Sequence, residues 1–177
     1  MKLLLNIAIC LSFMTAHAQA PDLPISEKTG KAVYSSVVNV ADVSVADLHD
    51  RTVHWFNAYF KNPGSVIKEN NKEGHFVKGQ HGMNIFDEID GNKNKAGLVK
   101  YRVEVFAKDG RYKYEVYDIF KLANPKQYLE EWLDDSAPHK EVQFEYARQV
   151  DEQIKALIEN LTQTLSKPVP GQEVDDW

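Results

Sequence analysis

LVKYRVEVFAKDGRYKYEVYDIF, residues 98–120, decides the fold of this chain. Two runs that alternate apolar and polar residues flank Asp109-Gly110, and that dipeptide predicts a β-hairpin closed by a two-residue type I′ turn. The turn sets the register. Ala107 pairs with Tyr112, Val105 with Tyr114 and Val103 with Val116, so both strands offer their apolar sets to one face. The opposite face receives Arg102, Glu104, Lys113 and Glu115, with Phe106 and Tyr117 among them. Glu104 then lies opposite Glu115, and Lys113 and Arg102 are the diagonal neighbours that offset the repulsion.

Working back toward the N-terminus, residues 87–97 (DEIDGNKNKAG) read as a polar loop, and His75–Phe86 as a strand whose Gly79 and Gly82 suggest a bulge or bend. Asn71–Gly74 is a turn and Ser65–Asn70 a short strand. Before Asn62-Pro63-Gly64 comes the best-patterned segment of the chain. Val45, Leu48, Thr52, Trp55, Phe56, Tyr59 and Phe60 recur at three- and four-residue spacings, predicting a helix with one broad apolar stripe. Ser44 and Asp47 resemble a capping box at its start. Lys31–Val40, rich in β-branched residues, is a first strand. Toward the C-terminus, Lys121–Lys140 is irregular with a helical turn at Tyr128–Leu133. A last helix runs from Val142 to Ser166 on a stripe of Tyr146, Val150, Ile154, Leu157, Ile158, Leu161 and Leu165. The expected architecture is α+β: two layers, elements in the order β-α-β-β-β-β-α, both helices packed on one face of an antiparallel sheet.

The N-terminus is a secretory signal peptide. Lys2 is its positive end, Leu3–Phe13 its apolar stretch, and Ala16-His17-Ala18 its cleavage site, with Ala18-Gln19-Ala20 as a second choice. A stretch of about eleven residues, interrupted by Asn6 and Ser12, is too short for a bilayer span, which takes about 20. Cys10, the one cysteine, lies inside this segment and follows Ile9 rather than a small residue, so the chain is not expected to be a lipoprotein. Cleavage after Ala18 leaves a chain without thiols, which closes off disulfides, Cys-based zinc sites and thiolate nucleophiles. It also removes one of 21 cations and leaves 20 against 26 acids, a net charge of −6. That balance opposes the phosphate attraction on which nucleic-acid binding relies. The expected domains are the signal peptide 1–18, a flexible lead-in 19–29, a single domain 30–166 and a tail 167–177.

Three segments resemble a known family: Gly30-Lys31-x-Val33-Tyr34-x-x-Val37-Val38, Leu48-x-x-Arg51-x-x-x-Trp55-Phe56, and Asp109-Gly110-Arg111-Tyr112-x-Tyr114. The family is an exported bacterial one, a domain of unknown function with a TATA-box-binding-protein-like (TBP-like) fold. The resemblance spans roughly residues 30–120 and implies the fold, with the last helix completing the order. It supplies no catalytic residues, and fold alone does not imply function.

The remaining motifs have plain explanations beside their functional ones. His75 and His81 share a strand face, but about 20 Å of strand separates them, too far for one ion. His49 and His54 fall on different sides of the first helix, at the surface or its boundary. Asp90-x-Asn92-x-Asn94 starts like a calcium loop, yet the sixth position is Lys95 and the twelfth Tyr101. Glu130, Glu131, Asp134 and Asp135 cluster near Tyr128 and Trp132, and paired carboxylates of that kind can hydrolyse glycosides. Asn160-Leu161-Thr162 matches a glycosylation sequon in mid-helix. No catalytic residue, metal ligand or cofactor is assigned. What stands out is Phe106 and Tyr117, with Arg102 and Lys113, on the face turned away from the helices. That face is either open, as an interaction surface, or covered by Lys121–Lys140. The expectation is a non-enzymatic binding module of the cell envelope, periplasmic or secreted, monomeric or weakly associating, holding a protein or envelope ligand. The alternatives are a hydrolase of an envelope polymer using the acidic cluster, and a structural subunit of an envelope assembly.

Overall fold

The structure, a computed structural model, describes residues 19–171. The signal peptide expected over 1–18 and the last six residues of the tail lie outside the described residues. The chain forms β1 (Tyr34–Asn39), α1 (Val45–Tyr59), a single helical turn α2 (Pro63–Val66), β2 (Ile67–Asn71), β3 (Phe76–Ile89), β4 (Asn92–Lys108), β5 (Arg111–Lys121), β6 (Gln127–Tyr128), a 3-10 helix (Leu129–Leu133) and α3 (Lys140–Leu165). The strands make one antiparallel sheet in the order β1-β5-β4-β3-β2, and β6 joins β5 beyond the end of β1. The α+β order expected from the sequence holds, with α2 and β6 added, and the helical turn expected at Tyr128–Leu133 is the 3-10 helix.

The hairpin of β4 and β5 has the expected register: Ala107 opposite Tyr112, Val105 opposite Tyr114, Val103 opposite Val116, and Glu104 opposite Glu115. The turn type differs. Gly110 is left-handed (φ 69°) but Asp109 is not, so the type I′ form, which needs positive φ at both positions, is absent here. Asp109 instead serves the next layer: its Oδ1 accepts from the Val45 N–H at 2.8 Å, at the start of α1. The pair of positive φ angles occurs at Asp90 (52°) and Gly91 (74°). There β3 and β4 run on through the segment expected to be a loop, pairing Asp87 with Asn94 and Ile89 with Asn92. Residues 87–97 are polar because they form a projecting two-stranded arm, wetted on both sides.

Helices α1 and α3 cover the inner face. Ser44 Oγ accepts from the Asp47 N–H at 3.1 Å, which starts α1. The Asp47 carboxylate does not complete the expected box; it grips Arg51 instead, at 3.2 and 2.7 Å. Buried Arg51 also donates from Nη1 to the Leu165 carbonyl at 3.0 Å. That bond satisfies an orphan carbonyl at the end of α3 and sets a positive charge against the negative end of its dipole. Leu48, Trp55, Phe56 and Phe60 enter the core from α1; Phe144, Ala147, Val150, Ile154, Leu157, Leu161 and Leu165 enter it from α3. Side chains of α3 also close the open edge of β3. Gln149 exchanges two 2.9 Å bonds with the Phe86 N–H and C=O, and Gln153 donates to the Asn84 carbonyl at 3.2 Å.

Two flanking segments complete the domain, and the first differs from expectation. The lead-in 19–29 is tied down: Leu23 is buried, and Ile25 bridges antiparallel to Ala32. Lys121–Lys140 packs against the helix layer rather than over the outer face, sending Leu129 and Trp132 into buried positions, with the Trp132 ring 6.2 Å from that of Tyr146. On the outer face this segment covers only the end at Phe120, where Lys126 lies 4.2 Å from the ring centre and Tyr128 beside it. Among the described residues none of it lines the hollow of Val37 and Phe106, so the face is open there.

Candidate functional site

Strand alternation builds the outer face in rows. Val37, Lys113, Phe106 and Phe76 lie side by side across four strands; Ser35, Glu115, Glu104 and Lys78 form the next row, and Tyr117, Arg102 and Gln80 a third. The four residues singled out from sequence are all here. Phe106 is half-buried because its ring packs on Phe76 at 5.6 Å between centroids. Tyr117 is half-buried and donates its hydroxyl to Glu104; burial, then that bond, push its pKa up. Lys113 pairs with Glu115 at 2.6 Å. Arg102 does not offset Glu104 as expected, because it pairs with Asp118 at 3.0 Å. The two facing glutamates are therefore relieved separately, one by a lysine and one by a phenol.

Two grooves open on this face and divide the four residues between them. One, about 500 Å³, has Val37 and Phe106 as its apolar walls and Lys108, Arg111 and Lys113 at its margin, with Glu115 the one acid. The other, about 580 Å³, runs between Tyr117, Arg102 and Asp118 and the margin formed by Lys31, Tyr128 and Glu130. Lys31 binds Glu130 at 2.7 Å and lies 4.2 Å from the centre of the Tyr128 ring. A third hollow, about 690 Å³, lies away from this face between the projecting arm and the first half of α3; Asp87, Glu88, Glu141 and Glu145 line it beside Phe86 and Ile89.

Sequence reasoning did not single out Val37, which is 56% exposed. A run of β-branched residues does not say which strand lies at the edge, and the edge position is what leaves this valine uncovered.

The histidines take other places than expected, or serve packing. His49, expected near the surface, is 2% exposed; its Nε2 lies 2.9 Å from Asn70 Oδ1, and its ring meets that of His75 edge to face at 6.2 Å. His75 precedes β3 in a left-handed conformation (φ 54°). His81 sits on the inner face against Phe60 and Tyr101. Among the described residues no group of three or more His, Cys, Asp or Glu could hold a metal ion. The acidic cluster is taken apart by its partners. Glu130 binds Lys31, Glu131 accepts from the Tyr128 N–H, Asp134 accepts from Ser136, and Asp135 pairs with Lys140. Asn160 of the sequon accepts from Trp55 Nε1 at 3.0 Å.

His81 gives the fold a dependence on pH. Burial first, and Lys100 second, hold its pKa below the usual histidine value. A folded-state pKa below the unfolded one means that the unfolded chain binds the proton more readily. His81 therefore contributes fully above the unfolded histidine pKa, and its contribution is lost as pH falls through the folded one. Melting temperature is expected to drop between pH 7.5 and 5, and His81→Gln should flatten that slope. An unchanged slope in the variant would assign the acid sensitivity elsewhere.

Against known proteins, a family model described as a domain of unknown function with TBP-like fold, DUF4468, matches residues 34–120. A crystal structure of a DUF4468 family protein from Bacteroides ovatus superposes with a TM-score of 0.65 at 17% identity, covering 84% of this chain and 91% of that one. A TBP-like protein from Parabacteroides distasonis gives a TM-score of 0.57, also at 17% identity, covering 78% of this chain and 97% of that one. No curated protein matches the sequence. At these identities the likeness is one of fold.

Proposed function

Because the chain belongs to the DUF4468 family, which is defined by its fold and not by an activity, we propose that it is a non-catalytic binding module of the cell envelope, exported by its cleaved signal peptide. One observation carries the reading. The sheet face that neither helix covers presents exposed Val37 and half-buried Phe106 beside two grooves. Apolar side chains gathered on a face with preformed hollows suit a partner better than they suit water. Export follows from the leader sequence. The mature charge of −6 favours a protein or envelope ligand over nucleic acid. The separate engagement of the four acidic-cluster residues supports a structural reading of them over a hydrolytic one.

The test is in-cell cross-linking of the mature protein with identification of what it holds. Phe106→Ala combined with Tyr117→Ala is expected to cost about 1 kcal/mol of stability and to abolish capture of the cross-linked partner. A folded double variant that captures its partner as well as the parent does removes the outer face from the function. A double variant that unfolds makes the two residues core.

A further inference from the structure

Strand β1 is the end of the sheet, and its backbone shows which of its groups are free. Val33 N–H donates to the Pro24 carbonyl and Ser26 N–H to the Lys31 carbonyl, both at 2.9 Å, so odd-numbered residues here turn their peptide groups away from the sheet. Val40 N–H donates to Gly110 at 2.8 Å, so even-numbered ones turn toward β5. By alternation Ser35, Val37 and Asn39 continue the outward set. Residues 24–26 are thus a short strand laid on the upper part of this edge, antiparallel to residues 31–33. Upstream of them the chain leaves the edge for the helix layer. Leu23 is buried, and the Gln19 carbonyl accepts from Arg148 of α3 at 3.1 Å. Among the described residues nothing pairs with the edge below, Ser35–Asn39.

Exposed edges in monomeric proteins are usually blunted by a charge, a proline or a bulge. β1 reads YSSVVN, pairs with β5 without a register shift, and has none of the three. The apolar groove of Val37 and Phe106 lies directly inside this edge, and its margin is cationic. Lys108 and Arg111 have no ion-pair partner among the described residues, and Lys113 has only Glu115. In a chain with an excess of acids, this corner carries the opposite sign.

We infer that β1 accepts an extended acidic peptide segment by strand addition. The segment's backbone bonds to Ser35, Val37 and Asn39, and alternate side chains reach inward over Val37 and Phe106 toward Lys108 and Arg111. This is the recognition mode in which main-chain bonds give affinity and alternate pockets give specificity. The charge selects the partner. A second copy paired through β1 would bring two cationic margins together, whereas an acidic strand neutralises one. The inference rests on the binding role proposed above and assigns its partner chemistry.

The probe is a blocked nine-residue peptide alternating valine and glutamate, with an alternating valine–lysine peptide as its counterpart. The glutamate peptide is expected to bind, to slow hydrogen exchange at the amides of Ser35, Val37 and Asn39, and to bind more weakly as salt rises. Lys108→Glu with Arg111→Glu should weaken it about tenfold or more. N-methylation of alternate peptide amides should abolish binding in one phase and spare it when shifted by one residue, because only one set faces β1. That comparison leaves the protein unaltered. Equal binding of the lysine peptide, or binding without protection of the three amides, overturns the inference. So does protection that appears without peptide and grows with protein concentration, which would assign the edge to a second copy. If the glutamate peptide fails while the Phe106 and Tyr117 variants still lose their cross-linked partner, the strand-addition site is wrong and the outer-face reading stands.

Discussion

Trp55→Ala is expected to cost about 3–5 kcal/mol of folding stability. The indole is fully buried and holds three neighbouring rings of α1: Phe56 edge-on at 4.8 Å, Tyr59 stacked at 5.4 Å and Phe60 edge-on at 5.5 Å between centroids. Its Nε1 donates to Asn160, so one side chain joins the two helices to each other. Truncation removes the ring and leaves a cavity between helices and sheet that rigid neighbours refill only in part. Trp55→Phe separates the two contributions. It keeps a six-membered ring and loses the rest of the indole together with a bond to an acceptor that water can satisfy, at about 1–3 kcal/mol. Chemical denaturation of the three proteins checks the ranking, and a loss below 1 kcal/mol for the alanine variant would remove Trp55 as the anchor of the helix layer.

Gly79→Ala is expected to cost about 1–3 kcal/mol, although alanine is the smallest side chain that can be added. The reason is space. A Cβ at residue 79 would lie 2.5 Å from Cε1 of Phe56 and 3.3 Å from Cγ1 of Val103. The Phe56 ring has nowhere to go, because Trp55 and Phe60 hem it in. Pairing the substitution with Phe56→Leu should recover part of the loss, and the non-additivity in a double-mutant cycle measures the contact. Additive costs would mean that the glycine is needed for some other reason.

Gly79 also shows what sequence can and cannot say. Its place in a strand signals an irregularity, and one exists, as a register shift between Ile67 and Glu69 in the facing strand β2. Its larger role, letting α1 approach the sheet, depends on which helix residue lands opposite, and spacing alone does not tell that. The β4–β5 register was legible because a two-residue turn leaves one alignment that places Val103, Val105, Tyr112 and Val116 together. The arm at 87–97 was not, since a strand pair wetted on both faces lacks the alternation that reveals strands. Arg51 and His49 lie among the residues of a helix whose apolar stripe was clear. Their burial comes from partners 114 and 21 residues away, Leu165 and Asn70. At the candidate site, Arg102, Phe106, Lys113 and Tyr117 were found because hairpin parity fixes a face. Val37 and the bare edge were missed because strand order, unlike strand parity, is not written locally.

The engagement of α3 by α1 sets a timetable as well as a structure. Arg51 and Trp55 wait for Leu165 and Asn160, and seven core side chains reside on the last helix. During synthesis the sheet and α1 emerge first with their apolar faces bare, and the interior closes only when the final turns of α3 arrive. A chain built this way stays unlocked until α3 has been made. That delay suits a protein threaded across a membrane before it folds, as the proposed export requires, and it makes the docking of α3 the event that closes the core.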